Sequence, residues 1–174
     1  ISASQEEQKK EEENLNSAVI CRESLDQADI VSKIDLQAFL VAGEDLAAVT
    51  DAAAAELGKE QILEKYEFAC DTKFGRIFLS GGAANIYQPG LHYLLTIDSS
   101  GDDVYDCGGA SDGEKYPIGI IIDLGGSDKY EMKGQGGSFG SGMLGWGILE
   151  DLAGNDSYRA DGGYSQGCGF MGMG

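Results

Sequence analysis

The chain has 174 residues, enough for one or two domains, and 42% of them are hydrophobic, which is sufficient for a buried core. Its formal net charge of −18 argues against nucleic acid or an anionic membrane as a partner, because binding to phosphates depends on Lys and Arg. No apolar run approaches the ~20 residues that a membrane-spanning helix needs, so no transmembrane segment is predicted.

The distribution of glycine divides the chain into two predicted regions. Only Gly43 and Gly58 precede residue 75, so 25 of the 27 glycines lie in residues 75–174. Glutamate, which suits helices, is the main acidic residue of the first region, whereas aspartate, which suits turns, is the main one of the second. We therefore predict a helical N-terminal or capping region at residues 1–74 and an Asp- and Gly-rich β-repeat array at residues 75–174.

The first region is predicted to contain short helices. Ser4 and Glu7 have the spacing of a capping box, at the start of a charged stretch. Three further predicted helices follow, at residues 35–42, 44–57 and 59–69. Gly43 and Gly58 lie where glycine commonly ends a helix. We expect these helices to cap the first repeat and to shield an otherwise open sheet edge.

A motif with the pattern D-x-x-G-x-D-x-Y recurs in the second region. Three copies align without gaps, at residues 98–105, 123–130 and 151–158. A degenerate copy precedes them, with Ser80 in place of the first Asp and Asn85 in place of the second. Each copy follows an apolar run that favours a β-strand, and the copies are too close together for the blades of a propeller. These features predict a parallel β-solenoid, so the predicted fold class is α+β by segments.

A second element of the repeat follows the motif tyrosine. Gln135 and Gln166 each open a Gly-rich stretch, and we expect their amides to form a ladder. Asp151 comes 16 residues after Gln135, so the next equivalent Asp would fall near position 182, beyond Gly174. The array is therefore predicted to be incomplete at its C-terminal end.

Stacking of the repeats would bring like charges together. Equivalent residues of parallel strands lie about 4.8 Å apart, so two carboxylate columns are predicted, Asp98, Asp123 and Asp151 in one and Asp103, Asp128 and Asp156 in the other. Three arrangements would offset the repulsion: hydrogen bonds from backbone N–H groups of each Asp's own turn, a bridging cation, or protonation of some carboxyls. Ca²⁺ is the cation that suits hard carboxylate oxygens, so all six aspartates are predicted metal ligands.

The motif also resembles a known calcium-binding repeat. Residues 126–130 and 154–158 are similar to the second half of the nonapeptide G-G-x-G-x-D-x-U-x of the secreted bacterial RTX β-rolls. The resemblance implies that Asp103, Asp128 and Asp156 bind calcium and that the aromatic residue after each points into the core. It covers five residues of each repeat, and the copies are not in tandem at nine residues as they are in RTX proteins.

The remaining conspicuous residues have structural interpretations. The motif tyrosines Tyr105, Tyr130 and Tyr158 predict an aromatic ladder, with a stacking surface for sugars as the alternative. Trp146 is predicted to pack, and His92 is interpreted as structural because no partner pattern for a catalytic triad accompanies it. The four cysteines are too dispersed for a paired zinc pattern, and their oxidation state is left open.

These observations lead to two functional hypotheses. The first is a structural or adhesive binding module of a secreted or cell-surface bacterial protein, stabilised by Ca²⁺, with a divalent cation and a glycan or another protein as partners. The alternative is a carbohydrate-active β-helix enzyme, a polysaccharide lyase or hydrolase that acts on an acidic glycan. No catalytic residue is assigned, because the aspartates define the repeat whereas a catalytic pair interrupts one.

Overall fold

The computed structural model describes residues 28–59, 62–113, 115–134 and 136–174. The chain divides into two units, Ile1–Phe39 and Leu40–Gly174. The predicted capping box at Ser4 and Glu7 and the predicted ladder residue Gln135 lie outside the described residues. The division after residue 74 that the glycine content predicts stays a prediction.

Two helical segments precede the strands. Helix α1 is described over residues 28–33, and helix α2 spans Leu36–Leu57. The Ala38 N–H donates a hydrogen bond of 3.1 Å to Asp35 Oδ1, so Asp35 caps the N-terminus of α2. Among the described residues, no helix combines the length and the apolar character needed to cross a membrane.

Helix α2 continues through Gly43, so the predicted helix boundary at this residue is wrong. Gly43 is buried, and a Cβ atom there would collide with the Trp146 side chain. This glycine therefore serves close packing and does not end the helix. The end predicted at Gly58 is confirmed, because the Gly58 N–H donates to the Ala54 carbonyl at 2.8 Å as the helix terminates.

In the part of the chain that the structure describes, eleven strands form three sheets. Their bounds are β1 Glu67–Thr72, β2 Gly75–Ser80, β3 Ile86–Tyr87, β4 Tyr93–Asp98, β5 Val104–Tyr105, β6 Ile118–Asp123, β7 Lys129–Met132, β8 Gly142–Met143, β9 Trp146–Asp151, β10 Ser157–Ala160 and β11 Gly169–Phe170. The larger sheet has the order β1-β2-β4-β6-β9, the second β10-β7-β5-β3, and the third β11-β8. Each motif copy connects a strand of the larger sheet to a strand of the second sheet, and we call each such pair of strands a layer. The four layers are β2 with β3, β4 with β5, β6 with β7, and β9 with β10.

The predicted fold class, a helical N-terminal region followed by a parallel β-solenoid, is wrong. The larger sheet is mixed, because β1 pairs antiparallel with β2 while the other neighbours in that sheet are parallel. The helix predicted at residues 59–69 is also wrong, since the chain is extended from Glu67 onward. The molecule is therefore an assembly of mixed and parallel sheets with a helix packed on one of them.

The β1–β2 hairpin explains why the helix prediction failed. Thr72 pairs with Gly75 across a two-residue turn, and Thr72 Oγ1 donates to the Gly75 carbonyl at 2.7 Å. An ion pair of 2.7 Å between Arg76 Nε and Asp71 Oδ1 spans the same two strands. Helix-favouring residues such as Glu and Ala have only a weak intrinsic preference, and pairing with the edge of β2 overrides it.

The larger sheet packs on both of its faces. One face contributes Ile120, Ile122 and Leu124 to a buried cluster with Ala54 of α2. The other face contributes Ile121 and Tyr93 to a second cluster, which also contains Tyr87, Tyr105 and Tyr130 of the second sheet and Phe139 of a connecting segment. The alternation of Ile120, Ile121 and Ile122 between the two faces follows from the two-residue period of a β-strand. The motif residues lie at the end of the larger sheet, beside the aromatic cluster.

Candidate metal centre

The first Asp of each motif lies at the C-terminal end of a strand in the larger sheet. Asp98, Asp123 and Asp151 are the last residues of β4, β6 and β9, and they are register partners in the parallel pairing. We call these three residues the strand-end column. Asp98 and Asp123 are fully buried, whereas Asp151 is partly exposed.

The strand-end column receives its hydrogen bonds from turns and tyrosines. Ser100 N–H donates to Asp98 Oδ1 at 3.2 Å, and Gly125 N–H donates to Asp123 Oδ1 at 3.0 Å. These are the own-turn bonds that Asp commonly makes beside glycine. The other carboxylate oxygen of Asp123 accepts the hydroxyls of Tyr105 at 2.6 Å and Tyr130 at 3.1 Å.

The motif tyrosines form the predicted aromatic ladder. Tyr87, Tyr105, Tyr130 and Tyr158 stack with centroid distances of 4.3, 4.6 and 4.6 Å and interplanar angles of 2°, 6° and 4°. The sequence analysis missed the second role of these residues, which is donation to the strand-end column. The signal was present, because every copy has tyrosine and none has phenylalanine, which would stack equally well without the hydroxyl.

The second Asp of each motif joins one layer to the next. Asp103 Oδ1, Asp128 Oδ1 and Asp156 Oδ1 accept the backbone N–H groups of the equivalent residues in the preceding layers, at 2.5, 2.7 and 2.8 Å. The donors are Asn85, Asp103 and Asp128. We call Asp103, Asp128 and Asp156 the turn column. Its bonds run between layers, whereas the hydrogen-bonded arrangement considered among the three alternatives from the sequence had such bonds within each turn.

The motif glycines allow the layers to approach. Gly101, Gly126 and Gly154 are linked as successive parallel bridge partners. A Cβ atom on Gly126 or Gly154 would collide with the carbonyl oxygen of the bridged glycine in the preceding layer. Glycine is therefore required at this position of the motif because the backbones of neighbouring layers are in contact there.

Three aspartates from the two columns meet in the interior. One carboxylate oxygen from each of Asp103, Asp123 and Asp128 lies within 4.8 Å of the others, and we call these residues the Asp triad. Each is at most 1% exposed. Asp103 Oδ2 and Asp128 Oδ2 are buried and have no hydrogen-bond partner. The ion pairs of the described residues lie elsewhere and involve other acidic side chains.

Burial without a cationic partner changes the acidity of the triad. Removal from water raises the pKa of Asp103 to about 8. The hydrogen bond from the Asn85 N–H acts in the opposite direction and lowers this pKa, whereas the negative charges of Asp98 and Asp128 raise it further. Burial likewise raises the pKa of Asp128 to about 7 and that of Asp123 to about 6. The triad is therefore a place where a proton or a cation relieves an unfavourable accumulation of negative charge.

The separation of the triad oxygens is compatible with coordination of one ion. Ca²⁺ binds oxygen at about 2.3–2.6 Å, so two oxygens on the same ion lie no more than about 5 Å apart. The six predicted ligands are thus divided: Asp103, Asp123 and Asp128 are brought together, whereas Asp98, Asp151 and Asp156 lie in the columns outside the triad. Hard oxygen donors of this kind suit Ca²⁺ better than they suit a soft metal.

The other residues considered for chemistry have structural contacts. His92 stacks on Tyr116 with a centroid distance of 4.2 Å, and its Nε2 lies 2.9 Å from the Ile118 carbonyl oxygen. Arg159 Nε pairs with Asp161 at 3.0 Å on the surface. Cys70, Cys107 and Cys168 are free thiols, and burial raises the pKa of Cys107 to about 12, which keeps that thiol protonated.

A cleft of about 460 Å³ lies beside the ladder, next to β8 and β11. His92, Tyr116 and Tyr164 are among its lining residues. The acidic residues that line it, Asp106 and Asp112, belong to neither column. The cleft and the Asp triad are therefore separate features. Comparison with known proteins gave no matching family model, no matching curated protein and no matching solved structure.

Proposed function

We propose that this protein is a structural or binding module in which Ca²⁺, held by the Asp triad, stabilises the stacked layers. The observation that carries the proposal is the pair of buried oxygens without a hydrogen-bond partner, Asp103 Oδ2 and Asp128 Oδ2, in a cluster with Asp123. Buried polar atoms are normally paired, and an unpaired carboxylate oxygen is especially costly. A bound cation would satisfy both oxygens at once.

The hydrogen bonds around the triad support a role for the ion between layers. Asp103 lies in the second layer, whereas Asp123 and Asp128 lie in the third. An ion bound to all three would therefore connect two layers, alongside the bond from Asp103 N–H to Asp128 Oδ1. Binding energy would then appear directly as resistance to unfolding.

Burial of the triad favours a structural role over hydrolysis of a polymer. A carboxyl pair that cleaves a glycan must lie on either side of the scissile bond. The carboxylates of Asp103, Asp123 and Asp128 are enclosed between layers and are at most 1% exposed. A polymeric substrate would have no access to them without separation of the layers.

We extend the proposal to location. Calcium sites of extracellular modules bind with dissociation constants of roughly 10⁻⁴–10⁻³ M, which suit the calcium concentration outside cells. We expect a site built from three carboxylates, without a dedicated calcium loop, to belong to this weak class. We therefore propose that the module works in a secreted or cell-surface bacterial protein, as its resemblance to RTX repeats implied.

Thermal unfolding in calcium and in chelator tests the ion. At a Ca²⁺ concentration tenfold above the dissociation constant, the stabilisation is about 1.4 kcal/mol, which raises Tm by about 3–6 °C. Mg²⁺ should give a smaller rise, because it demands a near-ideal octahedral site. An equal midpoint in millimolar Ca²⁺ and in chelator would remove the proposal.

Substitution of one triad residue tests whether the stabilisation by Ca²⁺ arises from binding at the Asp triad. In Asp128→Asn the amide oxygen still accepts the Asp103 N–H, but one of the three charges is lost. We expect this variant to lose the calcium response and, in chelator, to be at least as stable as the parent protein. Asp112→Asn is the matched control, because it neutralises an exposed Asp outside both columns and should keep the response. A full calcium response in Asp128→Asn would place the ion elsewhere.

A further inference from the structure

Three successive connections between layers build most of the cleft beside the third sheet. The first connection is residues 88–92, the second is residues 106–117 and the third is residues 133–145. Each leads from a strand of the second sheet back to the larger sheet, and the first is much shorter than the other two. Residues of all three line the cleft, whose volume of about 460 Å³ is in the range of sites for small organic ligands.

The polar groups of the cleft belong to inner layers, which a further layer covers. The Ser111 N–H donates to the Ser141 carbonyl at 3.1 Å, so the third connection is stacked on the second. Ser138 of the third connection is in turn a parallel bridge partner of Ser165 in the last layer. The chemistry of the cleft is therefore set by connections whose neighbours on both sides are in place.

Two carboxylates in the cleft have no cationic partner. Asp106 and Asp112 of the second connection line the cleft, and neither side chain takes part in an ion pair among the described residues. Lys133 also lines the cleft, but its ammonium group lies 3.6 Å from the Glu131 carboxylate. The cleft therefore carries an excess of negative charge, in a chain whose net charge is −18, and this favours a positively charged ligand.

The uncharged polar groups of the cleft also suit a ligand that donates hydrogen bonds. His92 Nε2 lies 2.9 Å from the Ile118 carbonyl oxygen, so this nitrogen carries the proton. Burial lowers the pKa of His92, which keeps the ring neutral and makes Nδ1 an acceptor. Ser141 is 2% exposed, and its Oγ has no hydrogen-bond partner in the part of the chain that the structure describes. Buried polar atoms are normally paired, so this hydroxyl, on a residue that lines the cleft, indicates a missing partner.

Apolar side chains line much of the remaining wall. Tyr116 and Phe170 contribute aromatic rings, and Leu91 and Met132 contribute aliphatic groups. Aromatic rings attract ammonium groups, and aliphatic groups bury methylene groups. An inorganic cation would use neither kind of contact. Among the described residues, moreover, only the Asp triad brings three acidic, His or Cys ligands within reach of one ion.

A neutral or acidic ligand fits the cleft less well than an organic cation. A neutral sugar would remove the carboxylates of Asp106 and Asp112 from water without compensating their charge, which is unfavourable. An acidic glycan would add repulsion between like charges. A ligand with a single ammonium group would compensate one carboxylate, whereas a ligand with two would compensate both.

We propose that the cleft binds a linear aliphatic diamine or polyamine. Its ammonium groups pair with Asp106 and Asp112, and its methylene chain packs on the apolar wall. This site is separate from the Asp triad, and the proposal does not depend on calcium.

Isothermal titration calorimetry in chelator at low salt tests the class of ligand. The probes are linear α,ω-diamines of increasing length, the diols of the same lengths, and a lysine blocked at both backbone ends, which represents the side chain of a partner protein. We expect saturable binding of a diamine, an affinity at least about tenfold lower for the blocked lysine, and no binding of the diols, because a charge-assisted hydrogen bond contributes more than a factor of ten.

Two results with the parent protein would overturn the proposal. The first is the absence of saturable binding for every diamine at millimolar concentration. The second is a blocked lysine or a diol that binds as tightly as the best diamine. Equal binding of the lysine would assign the cleft to a protein side chain, and equal binding of a diol would assign it to a neutral polyol.

Protein variants locate the binding site. Asp106→Asn should weaken binding of the best diamine by about tenfold. Asp45→Asn is the matched control, because it removes the same charge from an exposed position of α2 outside the cleft and should leave the affinity unchanged. Circular dichroism checks that both variants are folded. Equal weakening by the two substitutions would mean that the diamine is attracted only by the net charge of the chain, and the site would be lost.

Discussion

The strand-end column and the turn column use the same residue type in different ways. Asp123 accepts a bond from its own turn and two from tyrosine hydroxyls, so both of its oxygens are satisfied. Asp103 and Asp128 each accept one N–H from the preceding layer and keep the second oxygen without a partner. Asp123 thus organises the ladder beside it, whereas Asp103 and Asp128 link layers and have spare capacity for a cation. The two carboxylates of one motif therefore differ in their hydrogen bonding, because the donors to the first come from its own layer and neighbouring tyrosines and the donor to the second comes from the preceding layer.

Removal of Asp123 should give the largest effect, because this side chain is the acceptor of three buried hydrogen bonds. In Asp123→Ala the Gly125 N–H and the hydroxyls of Tyr105 and Tyr130 lose their acceptor inside the protein. Unsatisfied buried donors cost about 1–3 kcal/mol each, so we expect destabilisation of about 4 kcal/mol and a fall in Tm of roughly 8–16 °C. Thermal unfolding measures it. A fall no larger than that of Asp112→Ala would contradict this account of the column.

A change of pH should give the next largest effect and should act mainly on the turn column. The folded pKa values of Asp103 and Asp128, about 8 and about 7, lie above the unfolded value, so the folded state binds protons more tightly than the unfolded chain does. In chelator, the stability that protonation of these two carboxyls contributes is therefore fully present below about pH 4, and this contribution is lost as the pH rises through about 7–8. A proton that the folded state retains and the unfolded chain releases lowers the free energy of unfolding by about 1.4 kcal/mol per pH unit as the pH rises. The decrease is about 3 kcal/mol between about pH 5 and pH 7.

Unfolding midpoints across this pH range, with and without Ca²⁺, check the prediction. Calcium competes with protons for the same carboxylates, so its stabilising effect should increase as pH rises. A midpoint in chelator that rises between about pH 5 and pH 7 would mean that the triad is already neutralised by protein groups.

Removal of single tyrosine hydroxyls should give the smallest effects and should separate a buried tyrosine of the ladder from an exposed one. Tyr130→Phe keeps the ladder but loses the bond to Asp123, at a cost of about 1 kcal/mol or about 2–4 °C in Tm. Tyr158→Phe loses the equivalent bond to Asp151 where water replaces it, and should cost less. Equal losses in the two variants would indicate that burial does not decide the value of these bonds.

Much of the local pattern at the candidate site could be predicted from the sequence. The gapless alignment of the motif copies placed Asp98, Asp123 and Asp151 at equivalent positions, and they are register partners in the sheet. The ladder of tyrosines was also predicted. The sequence could not predict that Asp103 Oδ2 and Asp128 Oδ2 have no hydrogen-bond partner, because the layer that supplies each N–H donor is decided only by the packing of the strands.

The failures of the fold prediction have a common physical origin. Residues 59–69 have the composition of a helix, yet β1 forms from Glu67 because the edge of β2 is available to pair with it. Gly43 has the position of a helix end, yet α2 continues because Trp146 needs the space beside it. In each case a contact distant in sequence outweighed a weak local preference.

The sequence by itself determined the repeat, the strand ends at the motif aspartates and the equivalence of the motif positions, because spacing and residue type act locally. Only the tertiary structure decided the mixed sheet, the antiparallel β1, the convergence of Asp103, Asp123 and Asp128, and the exposure of Tyr158. These features depend on which strand edges meet and which layer covers another, and hydrogen bonds and burial between distant segments set that outcome.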